Sequence, residues 1–304
     1  MDWLTENPTV LEIVPPPLRL GAGAVEKRLA KVAKVMEAVR LDAVNIPEIR
    51  EEESKCETGD RKSRFEPRVP PRELAHAIQS QLGVRCVINR VVVHRPALQQ
   101  ADWFRETYEK FGVRDFVLVG GEKSGQRYPG PNVPEANQLI REALPDDISV
   151  GNICIPTRCT PERREADRMA RKVAQGADFF TTQIIYHAEH LTDLIGDIHA
   201  GHEQLANTPL LLSVCPVRAA ESFKFLRWLG VKVSVALEQE LTKDPDLLLQ
   251  ASVDHVVDMW RSVQRHLRDS NSALPLGLNI APVGAISIAT TIELARRLHE
   301  VRVP

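Results

Sequence analysis

The chain has 304 residues, a formal net charge of −2 and 39 dispersed lysines and arginines, which leaves no electrostatic case for nucleic acid or an anionic membrane. Its 43% apolar content is that of a globular protein, and no stretch approaches the length of a membrane span. Five cysteines, an odd number without Cys-x-x-Cys or zinc spacing, and an N-terminus unlike a signal peptide point to a cytoplasmic location.

The run Thr9-Val10-Leu11-Glu12-Ile13-Val14 is apolar and β-branched, and it is stopped by Pro15-Pro16-Pro17. It is predicted to be a short buried strand, because proline cannot donate to a ladder. Glu12 is its single carboxylate. A charge inside an apolar strand costs several kcal/mol unless it is paired or takes a proton. Glu12 therefore reads either as an acid at the end of a first strand or as half of a structural ion pair.

A glycine turn (Gly21, Gly23) leads into a helix over Val25–Arg40 with apolar residues at three-and-four spacing. A second short strand, Asp42–Ile46, ends at Pro47. Residues 48–68 have almost no apolar content and read as a long exposed loop, mobile or ordered by a ligand. A helix follows from Pro70-Pro71 to Leu82, closed by Gly83. Strand Arg85–Val93 exits at His94, and helix Ala97–Phe111 ends at Gly112. Strand Asp115–Gly121 opens into a Gly/Pro-rich loop, Glu122–Pro131. Helix Pro134–Leu144, strand Ile148–Ile155 and the turn Pro156–Arg158 come next. Helix Thr160–Gln175 has a hydroxyl cap at Thr160 and proline at its first position. Strand Asp178–Tyr186, helix Glu189–His199, strand Leu210–Cys215 and helix Ala219–Leu229 follow. Helices within 238–268 read as an insertion before the last strand, Leu276–Ile280, and helix Ile286–His299 closes the chain. Glu238 and Glu240 read as caps of a helix start.

Eight continuous apolar strands alternating with helices indicate a parallel sheet buried on both faces. Within residues 1–304 that favours a single-domain α/β protein, a (β/α)₈ TIM barrel, over an open doubly wound sheet. The active site of such a barrel lies at the C-terminal ends of its strands. Glu12, Asn45, His94, Glu122, Arg158, Gln183, Tyr186 and Asn279 are placed there. An inward Gln183 can read a heterocycle's donor and acceptor edge, or it is a satisfied core amide. Arg171 and Lys172, late in a helix, suit the helix dipole without any ligand.

Leu11-Glu12-Ile13-Val14-Pro15-Pro16 resembles the first-strand signature of methylenetetrahydrofolate reductases. The block Arg171-Lys172-Val173-Ala174-Gln175-Gly176-Ala177-Asp178-Phe179-Phe180-Thr181-Thr182-Gln183 is similar to that family's helix-five-to-strand-six segment. The resemblance implies a (β/α)₈ barrel of one-carbon metabolism and methionine biosynthesis. It would reduce 5,10-methylenetetrahydrofolate to 5-methyltetrahydrofolate with NAD(P)H, usually through FAD. It implies Glu12 as proton donor and Gln183 as pterin-binding amide, with Glu122 at the folate-binding position of a family aspartate. On the cofactor side it implies Lys172, Arg171 and Glu165, joined by Asn45 and Arg158 on the rim.

The chain also departs from the family pattern. Thr160 stands for a histidine and Gly120 for an arginine, and Ala220 or Phe223 is nearest to the phenylalanine that stacks on folate. Ile155-Pro156-Thr157-Arg158 and Val235-Ala236-Leu237-Glu238-Gln239-Glu240 resemble a divergent branch that works without flavin. That resemblance implies direct hydride transfer from NAD(P)H. The changes at Thr160 and Gly120 remove polar contacts to FAD, so FAD is expected to be held weakly or not at all, with the long loop 48–68 as a lid over the barrel mouth. A different class of function stays open: a folate-binding protein or methyltransferase that kept the barrel and lost hydride chemistry. The expected partner is a tetrahydrofolate, with no nucleic acid and no membrane. Oligomeric state is left open, a homo-oligomer included.

Overall fold

Eight parallel strands close on one another in sequence order. They are β1 Thr9–Glu12, β2 Ala43–Pro47, β3 Arg85–Val91, β4 Asp115–Val119, β5 Ser149–Cys154, β6 Phe179–Thr182, β7 Leu210–Val214 and β8 Leu276–Ile280. The (β/α)₈ barrel expected from the strand pattern is the fold of the chain. The computed structural model describes residues 2–4, 7–60, 64–121, 126–158, 164–284 and 286–301. The helices are α1 Ala22–Ala38, α2 Pro71–Leu82, α3 Ala97–Phe111, α4 Val133–Ala143, α5 Glu165–Ala174, α6 Ala188–Gly201, α7 Glu221–Trp228, α8 Val235–Leu241, α9 Leu248–Asp269 and α10 Ile288–Val301. Among the described residues no helix is long and apolar enough to cross a membrane.

Alternate side chains of each strand serve two cores, which is why the strands read as continuous apolar runs. Leu11, Val44, Ile88, Phe116, Phe180, Leu212 and Leu278 pack outward under the helices. Val10, Ala43, Val87, Val117, Phe179 and Leu211 pack inward in a separate central cluster. Phe179 fills the barrel axis beside Gly151, where a Cβ would lie 2.4 Å from its ring. Below this layer the N-terminal 3₁₀ turn Asp2–Leu4 closes the barrel. Leu4 is fully buried, Trp3 Nε1 donates to Asp115 Oδ1 at 3.2 Å, and Arg85 donates to the other oxygen of Asp115 at 2.8 Å.

The mouth is built differently from the sequence expectation. α9 packs between α6 and α10, so it is the seventh helix of the shell, and the additional helices over β7 are α7 and α8. The expected insertion at 238–268 thus joins two unlike elements, a roof helix and a shell helix, whose apolar periodicity is the same. α7, α8 and the start of α9 bury Phe223, Leu226, Leu237, Leu241 and Leu248 in a satellite cluster with Tyr186, Cys215 and Ala281. Ser234 caps α8 through Leu237 N, so Glu238 lies within the helix and pairs with Arg227 instead of capping. β6 ends at Thr182, which leaves Tyr186 beyond the strand, its hydroxyl donating to the Cys215 carbonyl at 2.6 Å. α5 begins at Glu165; the expected start at Thr160-Pro161 lies outside the described residues.

Among the described residues the segment after β2 carries neither helix nor strand, but it is tied down. Glu48 accepts from Arg90 Nη1 at 2.7 Å and from Val91 N at 3.0 Å. Further on, Lys55 N donates to Trp228 O at 3.0 Å and Asp60 N to Lys224 O at 3.1 Å, docking the segment on α7. Gly59 makes this contact possible, because a Cβ there would lie 2.4 Å from Trp228 N. The chain then returns to the β1–α1 turn, where Leu18 N meets Pro67 O and Val69 N meets Pro16 O.

Candidate active site

Above the apolar layer, the inward positions of the strands turn polar. The alternation that puts Val10 inside also puts Glu12 inside, at the C-terminal end of β1. By the same alternation β2 presents Asn45, β3 Asn89, β6 Thr181, β7 Ser213 and β8 Asn279. Asn45 is the register partner of Glu12, and Ser213 that of Asn279.

Asn45 Nδ2 donates to Glu12 Oε2 at 3.1 Å. Asn279 Nδ2 donates to Ser213 Oγ at 3.0 Å, and Ser213 Oγ lies 3.3 Å from Thr181 Oγ1. The carboxyl of Glu12 lies among these neutral groups, and among the described residues no cation pairs with it. Burial therefore dominates and raises its pKa to about 7, against the opposing effect of hydrogen bonds from Asn45 and Asn279. Of the two sequence readings of Glu12, the ion pair is thus without a partner among the described residues. The same burial raises the Cys215 thiol to about 12, with the Glu12 charge adding to the rise.

Gln183 follows β6 at the same rim. Its Nε2 donates to Leu229 O at 3.0 Å and its Oε1 accepts from Ile184 N at 2.9 Å. One N–H and one lone pair of the amide are left over. Phe223 is fully buried, its ring centroid 6.3 Å from that of Tyr186, so it is a core residue here. His94 packs edge-on against Tyr128 at 5.4 Å. Glu122 lies outside the described residues.

The residues carried over to the flavin side form their own group at the end of β5. Glu165, 1% exposed, accepts from Ile155 N at 3.0 Å, from Arg158 Nη2 at 3.1 Å and from Arg168 Nη1 at 3.0 Å. Lys172 Nζ donates to Ile153 O at 2.7 Å, and burial pulls its pKa below the ordinary lysine value. Arg171 is exposed and lines a groove between α4 and α5. The structure brings Asn45 to Glu12 and Arg158 to Glu165, and it leaves Arg171 apart from both. Asn89, Thr181 and Ser213 were missed by the sequence reading. Their signal was a polar residue at an inward position of an apolar strand, visible only once the register is known.

Residues 69–269, more than half of the chain, match the family model described as methylenetetrahydrofolate reductase. The chain belongs to the methylenetetrahydrofolate reductase family. Two reductases of this name from Schizosaccharomyces pombe are similar to it. Methylenetetrahydrofolate reductase 2 is 23% identical over 64% of this chain and 33% of its own length. Methylenetetrahydrofolate reductase 1 is 27% identical over 50% of this chain and 25% of its own length. The chain therefore spans about a quarter to a third of the family members it matches. Among solved structures, an uncharacterized protein of Clostridium thermocellum that binds two copies of 5-methyl-5,6,7,8-tetrahydrofolic acid shares the fold. Its TM-score is 0.79 at 19% identity, over 98% of this chain and 96% of that one. A GH113 β-1,4-mannanase shares the barrel more loosely, with a TM-score of 0.55 at 10% identity. Gln183, Lys172, Arg171, Glu165 and Arg158 fall inside the segment that matches the reductase family, whereas Glu12, Asn45 and Asn279 fall outside it.

Proposed function

We propose that this chain binds a reduced folate at the barrel mouth and reduces 5,10-methylenetetrahydrofolate to 5-methyltetrahydrofolate, with NAD(P)H as the hydride donor. One observation carries the reading: a carboxyl at the strand ends whose proton affinity is poised near neutrality by burial among amides. The N5,N10 bridge of the substrate must open before hydride can add. A proton from Glu12 to N10 breaks the N10–methylene bond and leaves an N5 iminium. Hydride from the dihydronicotinamide then adds to the methylene carbon. An acid with a pKa near the working pH is suited to the first step, being both protonated and willing to give the proton up. The carboxylate left behind keeps the Asn45 N–H as its partner. Gln183, anchored by Leu229 O and Ile184 N, offers its remaining N–H and lone pair to the pterin edge.

The flavin usual in the family does not fit the described residues. Glu165 is saturated by Ile155 N, Arg158 and Arg168, and the Lys172 ammonium is bound to the Ile153 carbonyl. A flavin held there would compete with these contacts for the Glu165 carboxylate and the Lys172 ammonium. Direct transfer from the nicotinamide is the route these side chains support.

A second reading is a folate-binding protein or methyltransferase without hydride chemistry. The Clostridium thermocellum protein, alike over nearly its whole length and bound to 5-methyltetrahydrofolic acid, favours it. NAD(P)H oxidation dependent on methylenetetrahydrofolate separates the two. Turnover supports the reductase; folate binding without turnover supports the binder.

A further inference from the structure

The ring of inward amides around Glu12 contains acceptors with nothing to accept. Asn45 is 4% exposed and Asn279 3% exposed. Each uses its Nδ2 as a donor, Asn45 toward Glu12 and Asn279 toward Ser213, with Glu12 also within its hydrogen-bonding reach. Yet Oδ1 of both is buried without a partner among the described residues. Buried carbonyl oxygens are normally paired, because leaving one unpaired forfeits its hydration. Two such oxygens lie on the two strands flanking β1, on the same amides whose nitrogens reach Glu12.

We propose that Asn45 and Asn279 form a two-sided amide clamp that keeps Glu12 hydrogen-bonded in both of its protonation states. When Glu12 is ionised, amide N–H groups donate to its oxygens. When it is neutral, its own O–H is the missing donor and an amide Oδ1 accepts it. A half-turn of the terminal amide exchanges the nitrogen and oxygen in place, so neither state requires a backbone shift. Both residues are positioning residues: they act through Glu12 and hold its proton in one direction before and after it leaves. The inference rests on Glu12 being the acid of the proposed reaction, but its test does not require turnover.

Among the described residues, the groups facing Glu12 that bear on its titration come from the neighbouring strands. β2 presents Asn45, β8 Asn279, β7 Ser213 and then the Cys215 thiol, β6 Thr181 and β3 Asn89. Cys215 stays protonated through the neutral range, since burial holds it near 12. The neutral clamp is therefore what Glu12 senses between pH 5 and 9.

The experiment is a pH titration of the side-chain carboxyls by carbon-detected NMR on glutamate-labelled protein. Glu12 is assigned as the signal missing in Glu12→Gln. Leucine in place of either asparagine keeps the branched shape of the side chain without its polar atoms. It removes both a donor to the carboxylate and an acceptor for the acid. The charge-assisted bond is the stronger of the two, so Asn45→Leu and Asn279→Leu should each raise the Glu12 midpoint by about one pH unit, a tenfold gain in proton affinity. A second measurement uses the unmodified protein and so does not depend on any variant folding. The side-chain amide signals of Asn45 and Asn279 should titrate in step with Glu12 and become flat in Glu12→Gln. Amide signals that stay flat through the Glu12 midpoint, or a midpoint unmoved in folded leucine variants, would overturn the clamp and leave water as the partner of the two oxygens. Loss of the reductase reading alone would appear differently, as a titrating clamp in a protein without NAD(P)H oxidation.

Discussion

The side-chain amide of Gln183 donates to the backbone carbonyl of Leu229 at 3.0 Å, tying the exit of β6 to the end of α7. The residue that reads as a pterin contact is thus also a strut under the roof of the barrel. We expect Gln183→Ala to weaken folate binding about tenfold, roughly 1.4 kcal/mol, and to leave NAD(P)H affinity nearly unchanged. Calorimetric titration with each ligand checks this. A pure strut would lower the melting temperature and leave the folate isotherm where it was.

Replacing Glu12 by glutamine keeps the shape and removes the proton. Turnover should vanish, while folate binding stays within about tenfold of the unmodified protein. A variant that retains more than a tenth of the rate would remove Glu12 from the mechanism.

The pH dependence follows from the sign of the Glu12 shift. Its pKa is about 7 in the folded chain against 4.5 for the unperturbed group, so the native state holds the proton more tightly than the unfolded state. The stabilising contribution of the neutral form is complete below about pH 4.5 and is lost as pH rises through 7, on the order of 3 kcal/mol in all. Denaturant titrations should show Glu12→Gln gaining stability over the unmodified protein between pH 5 and 8, with the two converging at low pH. The chemical step should also slow as pH rises above 7, because only the protonated acid acts.

At Gly59 the segment after β2 touches the backbone of Trp228, and backbone cannot step aside as a flexible side chain can. Gly59→Ala should detach residues 51–60 from α7. Hydrogen exchange is the direct measure: amides of Lys55 and Asp60, bonded to Trp228 O and Lys224 O, should lose protection while those of β1 and β8 keep theirs.

Flavin can be tested by colour. Protein expressed with riboflavin supplied should be purified without a stoichiometric visible flavin band. A stoichiometric band would show that the Glu165 and Lys172 contacts at the end of β5 do open for the cofactor.

How much of this was legible beforehand depends on how local the signal is. The barrel was, because eight apolar runs with helices between them have few other ways to be buried on both faces. Helix α3 was legible to the residue, since Pro96 and the left-handed Gly112 punctuate it. α7 to α9 were not, since roof and shell helices share one apolar period and only tertiary packing tells them apart. Glu12 stood out as a lone carboxylate in an apolar strand. Its neighbours Asn89, Thr181 and Ser213 did not. They are ordinary residues whose importance comes from strand register, and register is set by partners far away in the chain. Family resemblance pointed to Lys172, Arg171 and Glu165 as cofactor positions, but the hydrogen-bond partners of Glu165 and Lys172 were not legible.

The stopper of Trp3 and Leu4 beneath the barrel has a kinetic meaning. Below Glu12 the axis is filled by Val10, Ala43, Val87, Val117, Phe179 and Leu211, and below them by the N-terminal turn. Hydrocarbon relays no protons, so the floor of the site is a dead end. If Glu12 hands its proton to a folate, the replacement must come from the solvent side, through the doorway that the product is still blocking. Resetting the acid would then wait on departure of the methylated folate, so it is the free protein, and not the product complex, that takes the proton back.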